Sequence, residues 1–306
     1  MKTLILIAFL PAVPCRAGNV ISLEGNWRFS MGEKPLYNLW IQLPGTTDMA
    51  GFGKDSPYPD MDNQYTFGWR RPKVYEGVAW YSRTVDIPED WKGKHVVLFL
   101  EQTRSSTSIW VDGEPVPGTE ESLTTAHRHD LSAFLTPGRH TIAMRLDNSN
   151  KHGIGGSYIR SAMGQGNWQG VTGRIELRMT PSVYIENVVF TPEDRHRANV
   201  RIIIGGGPKG KLVTEATILD GGRILRTARS DGENIPLDIS GLELWDEFNP
   251  KCYTLRTSVK SASGTHVREE QIGIRFVATN SSHQFTVNGR PVFLRGKVNY
   301  NTFPLT

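Results

Sequence analysis

At 306 residues, with 35 Lys and Arg set against 31 Asp and Glu and a formal net charge of +4, the chain is long enough for about two domains with sizeable cores. The charges are interspersed and form no basic stripe, which excludes the electrostatic footprint of a nucleic-acid binder. The apolar run at the N-terminus is about ten residues, short of the roughly 20 that span a bilayer, so no membrane span is expected there.

Lys2, the apolar run Leu4 to Val13 and the small-residue exit Cys15-Arg16-Ala17 read as a signal peptide over 1–17, cleaved after Ala17, so the mature chain is secreted or periplasmic. A lipidated Cys15 is the weaker reading, because Pro14 stands where a small, flexible residue is wanted. Without the leader the charge falls to +2 and Cys252 is the one cysteine left, so an intrachain disulfide cannot form and the core alone holds the fold.

Helical periodicity is scarce, whereas short alternating or β-branched runs bounded by Gly, Pro, Asn and Asp recur, the mark of an all-β sandwich protein. The first series of strands is Trp80 to Ile87, His95 to Glu101, Ser106 to Val111, His140 to Leu146 and Arg174 to Met179, with turns at Asp112-Gly113 and Pro137-Gly138. Trp27, Trp80 and Trp110 lie in strand patterns and read as core. His127 and His129, two residues apart, would share one strand face as a metal site might want, but no third ligand lies at useful spacing, so they read as solvated histidines. Glu101, Asp112 and Glu176 read as solvated or turn-capping carboxylates.

A second series follows Thr180-Pro181: Val183 to Phe190, Asn199 to Ile204, Val213 to Leu219, Tyr253 to Lys260 and Glu269 to Phe276, a spacing that fits a sandwich of about 100 residues. Gly205-Gly206-Gly207-Pro208 within it reads as a loop. The Gly-rich stretch from Gly164 to Gly170 lacks the β-α-β setting of a nucleotide site. Last, Gln284 to Val287 and Pro291 to Arg295 flank Asn288-Gly289, a strong hairpin signal. The chain ends at Phe303-Pro304-Leu305-Thr306, and because an apolar strand left without a partner is an aggregation hazard, this end is expected to be a truncation.

Taken in order, several segments resemble the N-terminal half of family 2 glycoside hydrolases, the group of β-galactosidases, β-glucuronidases and β-mannosidases. Leu23-Glu24-Gly25-Asn26-Trp27-Arg28-Phe29 is similar to that family's opening strand and Leu43-Pro44-Gly45-Thr46-Thr47-Asp48 to the loop after it. Tyr75-Glu76-Gly77-Val78-Ala79-Trp80-Tyr81 resembles its glycine-then-aromatic strand, Trp91-Lys92-Gly93-Lys94 the next turn, and Ile109-Trp110-Val111-Asp112-Gly113 its hairpin. Arg145-Leu146-Asp147-Asn148 resembles its loop at the sugar site and Gly173-Arg174-Ile175-Glu176-Leu177 its closing strand. Leu244 to Pro250 with Tyr253-Thr254-Leu255 is similar to a link late in its second domain, and Phe293-Leu294-Arg295-Gly296 to the first strand of its barrel.

The resemblance implies a jelly-roll sugar-binding domain over 18–181, an immunoglobulin-like sandwich over 182–278 and, over 279–306, the start of a (β/α)8 barrel. It implies β-glycoside hydrolysis in carbohydrate metabolism by a retaining mechanism, whose two carboxyl groups stand about 5 to 5.5 Å apart. In the family both are glutamates late in the barrel, beyond Thr306, so no catalytic residue is assigned here, nor is a metal or a cofactor. The expected partner is an oligosaccharide or glycan substrate.

Asp147 and Asn148 resemble positions on a loop that approaches the sugar, and their short acceptor side chains suit hydroxyls or a cation; a plain strand-end turn is the other reading. Trp168 offers an indole for stacking on a pyranose if it is exposed, with Asn167 and Gln169 able to bind hydroxyls; core packing is its alternative. Arg295 resembles the family's arginine at the end of the first barrel strand. After it, Lys297-Val298-Asn299-Tyr300 replaces the commoner Asn and His-Glu residues, which leaves the sugar specificity open. The contrasting reading is a stand-alone carbohydrate-binding or adhesive sandwich, against which the barrel-like hairpin argues.

Overall fold

Alternation of apolar and polar residues becomes alternation of faces. In Leu39–Leu43, Ile41 and Leu43 are buried while Trp40 and Gln42 face solvent, and in Gly138–Asp147 the buried apolar set is Ile142, Met144 and Leu146. The computed structural model describes residues 19–55, 73–149, 168–207 and 210–297; the expected signal peptide, Asn167 and positions 298–306 lie outside them. The described residues are all-β apart from one 3₁₀ turn, Glu89–Trp91, and fall into two units that divide between Met179 and Thr180.

Among the described residues, the first unit has two main sheets besides a two-stranded ribbon of Lys54–Asp55 and Lys73–Val74. The smaller runs in the order Val20–Ser22, Gly170–Thr180, His95–Gln102, His127–Asp130, with Gly45–Thr46 also paired to Gly170–Thr180. The larger runs Glu114–Pro115, Ser105–Val111, Gly138–Asp147, Val78–Ile87, Gly25–Met31, Leu39–Leu43, with Glu120–Ser122 also on Ser105–Val111. Neighbouring strands of the larger sheet pair antiparallel throughout, and the two sheets share one core built around Trp27, Phe29, Tyr81, Leu98, Ile109 and Met144. Each such large apolar side chain contributes roughly 1.5–3 kcal/mol on burial. The Trp27 indole also donates from Nε1 to the Leu23 carbonyl at 2.9 Å, so its one polar atom is satisfied inside.

Trp27 is in this core as expected; Trp80 is buried too, at 9% exposure, but neither it nor the half-buried Trp110 belongs to the core between the sheets. Their odd-numbered neighbours Ala79, Tyr81, Ile109 and Val111 take the inward positions, so both indoles stand on the outward face, with ring centroids 4.8 Å apart. The histidines reverse in the other direction. His127 and His129 pair across the strands with Leu100 and Leu98, which face the core, so both rings are buried rather than solvated.

Thr107, reaching in from the larger sheet, places its Oγ1 at 2.8 Å from His127 Nδ1 and 2.7 Å from His129 Nε2. A hydroxyl has one proton, so it donates to one ring and accepts from the other. The Ser122 carbonyl, 3.3 Å from His127 Nε2, requires a proton there. Neutral His127 then accepts from Thr107 at Nδ1, and His129 donates from Nε2 to Thr107. This polar chain joins the two sheets through their shared core.

In the second unit, a sheet of Val183–Pro192, Arg197–Gly206 and Asn234–Asp238 and another of Arg223–Ser230, Val213–Asp220, Tyr253–Ser261 and Gly264–Ile272 enclose a core that includes Val200, Ile202, Ile218, Ile235 and Val259. Gly205 and Gly206, expected in a loop, end a strand instead. A Cβ on Gly205 would sit 2.5 Å from the Tyr184 ring and one on Gly206 1.8 Å from the Ser182 carbonyl, so glycine here serves close strand approach. The strand expected to reach Phe276 stops at Ile272, because Gly273 lies against the Trp245 ring and Trp245 N–H bonds to the Ile274 carbonyl.

A third small sheet, Val277–Thr279, Phe285–Val287 and Arg290–Pro291, contains the expected hairpin, with Asn288 and Gly289 at φ 54° and 83°. Asn288 also accepts at Oδ1 from the Phe276 N–H and donates from Nδ2 to the Trp245 carbonyl. The strand expected over Pro291 to Arg295 is confined to Arg290–Pro291.

Burial lowers the pKa of both core histidines, that of His129 to about 4, with the charge of His127 adding to the effect. An unfolded histidine titrates near 6.5, so the unfolded state binds more protons below that value, and this stability is complete above about pH 6.5 and lost as pH falls towards about 4. Urea unfolding between pH 7.5 and 4.5 is expected to show that slope. Thr107→Val should lower stability at pH 7.5 by about 1–3 kcal/mol, because it strands two buried ring nitrogens.

Candidate functional site

Where strands stop together, their last backbone groups lose ladder partners, and side chains must replace them. Gly138–Asp147 and Val78–Ile87 pair as far as Asp147 with Val78, and the chain beyond is held by two amides. Asn148 accepts at Oδ1 from the Gly77 N–H (2.8 Å) and donates from Nδ2 to the Tyr75 carbonyl (3.0 Å). Gln169 donates from Nε2 to the carbonyls of Gly77 (2.7 Å) and Leu146 (3.0 Å). The Gln169 carbonyl in turn accepts from the Thr47 N–H, which draws the Gly45–Asp48 loop into the same corner.

Asp147 closes the strand end. Its Oδ1 accepts from the backbone N–H (3.0 Å) and hydroxyl (2.6 Å) of Ser149, and Oδ2 lies 3.4 Å from Arg145 Nη1. Arg145 extends to Glu33 at 3.2 Å, so one guanidinium spans a carboxylate with 5% of its side chain exposed and another with 78%. The turn geometry is therefore realised at Asp147, and the Asn148 amide is engaged with backbone.

Gln169, expected beside Trp168 as a group for sugar hydroxyls, joins Asp147 and Asn148 in one corner, whereas Trp168 is only 4% exposed and presents no open stacking face. The reason is the chain just after it. Gly170, at φ 138°, lets its backbone approach Gly45 so closely that a Cβ would lie 2.2 Å from the Gly45 carbonyl oxygen, which seats Trp168 inside, with the Arg104 guanidinium 5.2 Å from its ring centroid. The indole Nε1, Thr46 Oγ1 and Gln169 Oε1 are buried without hydrogen-bond partners among the described residues. Arg295 belongs to the second unit, is exposed, and lies 5.7 Å over the ring of Phe293. Asn167 falls outside the described residues.

Sequence reading assigned no role to Gly77, Tyr75, Thr46 or Arg104, which frame this corner. The signal lay in the polar run Gly45-Thr46-Thr47-Asp48, whose Thr46, Thr47 and Asp48 are all buried. The other carboxylates are accounted for structurally. Hydrogen bonds from Arg174 hold Glu101 below the usual carboxylate range, Glu176 pairs with Arg178 at 2.8 Å, and Asp112, held low mainly by the Thr141 N–H, ties its turn to Thr141 and His140 on the next strand. Among the described residues no group of three or more His, Cys, Asp or Glu side chains is placed to hold a metal ion.

Residues 20–177 match the family model described as "Glycosyl hydrolases family 2, sugar binding domain". The chain is 24% identical to a β-galactosidase of Priestia megaterium, over 92% of this chain and 30% of that protein, and 25% identical to the β-glucuronidase of Homo sapiens, over 90% and 47%. Among solved structures it is similar to the β-glucuronidase from Ruminococcus gnavus in complex with D-glucuronic acid, with a TM-score of 0.68 and 18% identity over 93% of this chain and 51% of that one. A family 2 member from Bacteroides cellulosilyticus gives a TM-score of 0.66 and 19% identity, over 89% and 38%. The chain thus spans about half the length, or less, of these relatives.

Asn148→Ala would leave the Gly77 N–H and the Tyr75 carbonyl unpaired at a fully buried position. Chemical denaturation is expected to show a loss of about 2–4 kcal/mol, and Gln169→Leu, which removes the donor to Gly77 and Leu146, a loss of about 1–3 kcal/mol.

Proposed function

The chain belongs to glycosyl hydrolases family 2, and from that premise we propose that it is the non-catalytic N-terminal part of a secreted enzyme that cleaves β-glycosidic bonds with retention of configuration. The observation that carries this reading is the family match over residues 20–177, the span of the two-sheet unit with its Asp147–Asn148–Gln169 corner. In this reading that unit is a jelly-roll sugar-binding domain, residues 182–278 are an immunoglobulin-like sandwich, and the hairpin around Asn288-Gly289 opens a (β/α)8 barrel. Residues 1–17 direct export. The names of the relatives, β-galactosidases and β-glucuronidases, support a β-glycoside as the substrate class.

The two carboxyl groups of a retaining glycosidase stand about 5 to 5.5 Å apart, one as nucleophile and one as acid/base. In this proposal the barrel supplies both, and the present chain supplies substrate contact, because barrel active sites lie at the loop-bearing ends of the strands where neighbouring domains reach. Asp147 is the contact from the first unit. A carboxylate already oriented by Ser149 and Arg145 needs little further ordering to accept from a sugar hydroxyl. Asn148 and Gln169 position it by holding the Tyr75–Gly77 segment, and Arg295 is the contact from the barrel-like strand.

Two measurements test this. The purified chain, incubated with nitrophenyl β-galactoside and β-glucuronide, is expected to release no nitrophenol above the buffer rate, and clear turnover would show that the chemistry resides in these residues after all. Sequencing the gene past the codon for Thr306 is expected to reveal a barrel with two spaced glutamates; continuation into unrelated sequence would overturn the assignment to a glycosidase.

A further inference from the structure

The outward face of the larger sheet carries an arrangement that the Asp147 corner does not use. Cross-strand partners run in one row over five strands: Trp40, Arg28, Ser82, Ala143, Trp110. Each alternates with core residues on its own strand, so all five lie on the solvent side. The row spans four strand spacings, about 19 Å, wide enough for a chain of sugar rings rather than one.

Trp40 forms one end on the edge strand Leu39–Leu43. It is 55% exposed, and the guanidinium of Arg28 lies 4.2 Å from the ring centroid, which braces one face of the indole. Trp110, partly exposed, forms the other end and is backed by Trp80, which is anchored by its Nε1–H to the Glu33 carbonyl at 3.1 Å. Ser82 and Ala143 between them have no bulk, so the floor is low. Alongside run exposed amide and hydroxyl pairs, Asn26 with Gln42 and Thr84 with Thr141.

Indoles at both ends suit the flat C–H faces of equatorially linked pyranoses, and the amides and hydroxyls suit ring hydroxyls. Arg145 beside the row is engaged by Glu33 and Asp147, and Arg28, stacked on the Trp40 ring, is the one cation within the row, a single charge rather than a cluster that would select an acidic ligand. A protein partner would call for a contiguous apolar core, which the polar middle of the row lacks. The smaller sheet's outward face differs. There Phe99 is covered by Arg128, Arg174 and Arg178, and the latter two pair with Glu101 and Glu176, so no bare ring is offered.

We propose that this face is a binding platform for a neutral β-linked polysaccharide, with Trp40 and Trp110 as its two stacking ends. The inference rests on the carbohydrate reading above but not on the role given there to Asp147. Its test is affinity electrophoresis of the purified chain through gels containing soluble β-glucan, galactan, mannan or xylan. At least one should retard it, and Trp40→Ala should weaken that retardation on the order of tenfold, with Trp40→Phe retaining most of it. Phe248→Ala, which removes an equally bare aromatic ring from the second unit, should bind as the parent does. Circular dichroism on each variant separates lost binding from lost folding. Absence of retardation by every polysaccharide overturns the platform, as does a folded Trp40→Ala variant that binds like the parent. Loss on Asp147→Asn but not on Trp40→Ala would also overturn it, while leaving the glycosidase reading intact; failure of the gene test alone would remove that reading and leave the platform standing.

Discussion

Backbone groups at the ends of strands must find partners, and much of the first unit is arranged by how that need is met. Where Val78–Ile87 and Gly138–Asp147 run out, the amides of Asn148 and Gln169 take the place of ladder neighbours. Between them they bind backbone at Tyr75, Gly77 and Leu146, and the Gln169 carbonyl adds Thr47, residues up to 122 positions apart in the chain. An amide carries donors and an acceptor on one planar group, so two side chains hold the segments at Tyr75–Gly77 and Leu146, while the Gln169 main chain holds Thr47. Asp147, buried and already hydrogen bonded, closes the strand end beside this arrangement, and it is the residue proposed to meet a ligand.

The same need for satisfaction explains why polar residues lie inside the core. Thr107 faces inward because Ile109 and Val111 on its strand do, and a buried hydroxyl there requires partners. His127 and His129 supply them from the opposite sheet. The cost is a pair of imidazoles kept neutral, so the two sheets are joined by a contact that depends on pH.

An outward sheet face has no such constraint, and the two faces of the first unit diverge accordingly. On the smaller sheet, guanidinium groups stack on Phe99 and pair with carboxylates, a surface closed on itself. The larger sheet carries Trp40 on one edge strand and Trp110 one strand in from the other edge, with small or hydrogen-bonding side chains between. Membership of a glycosidase family and an aromatic face of this kind are compatible features of one chain.

The sequence by itself determined the all-β class, most strand positions, the Asn288-Gly289 hairpin and the family, because period-two alternation and turn chemistry are local and the family's motifs stand in order along the chain. Tertiary structure decided which face each strand turned inward. Trp80 and Trp110 have the same local pattern as Trp27, and only their neighbours Ala79, Tyr81, Ile109 and Val111 set them outside. His127 and His129 look solvated until Leu98, Leu100 and Thr107 surround them. Trp168 reads equally as an open or a packed indole until Gly170 brings the chain against Gly45. Burial is a property of what packs across from a residue, and those partners lie tens of positions away in sequence.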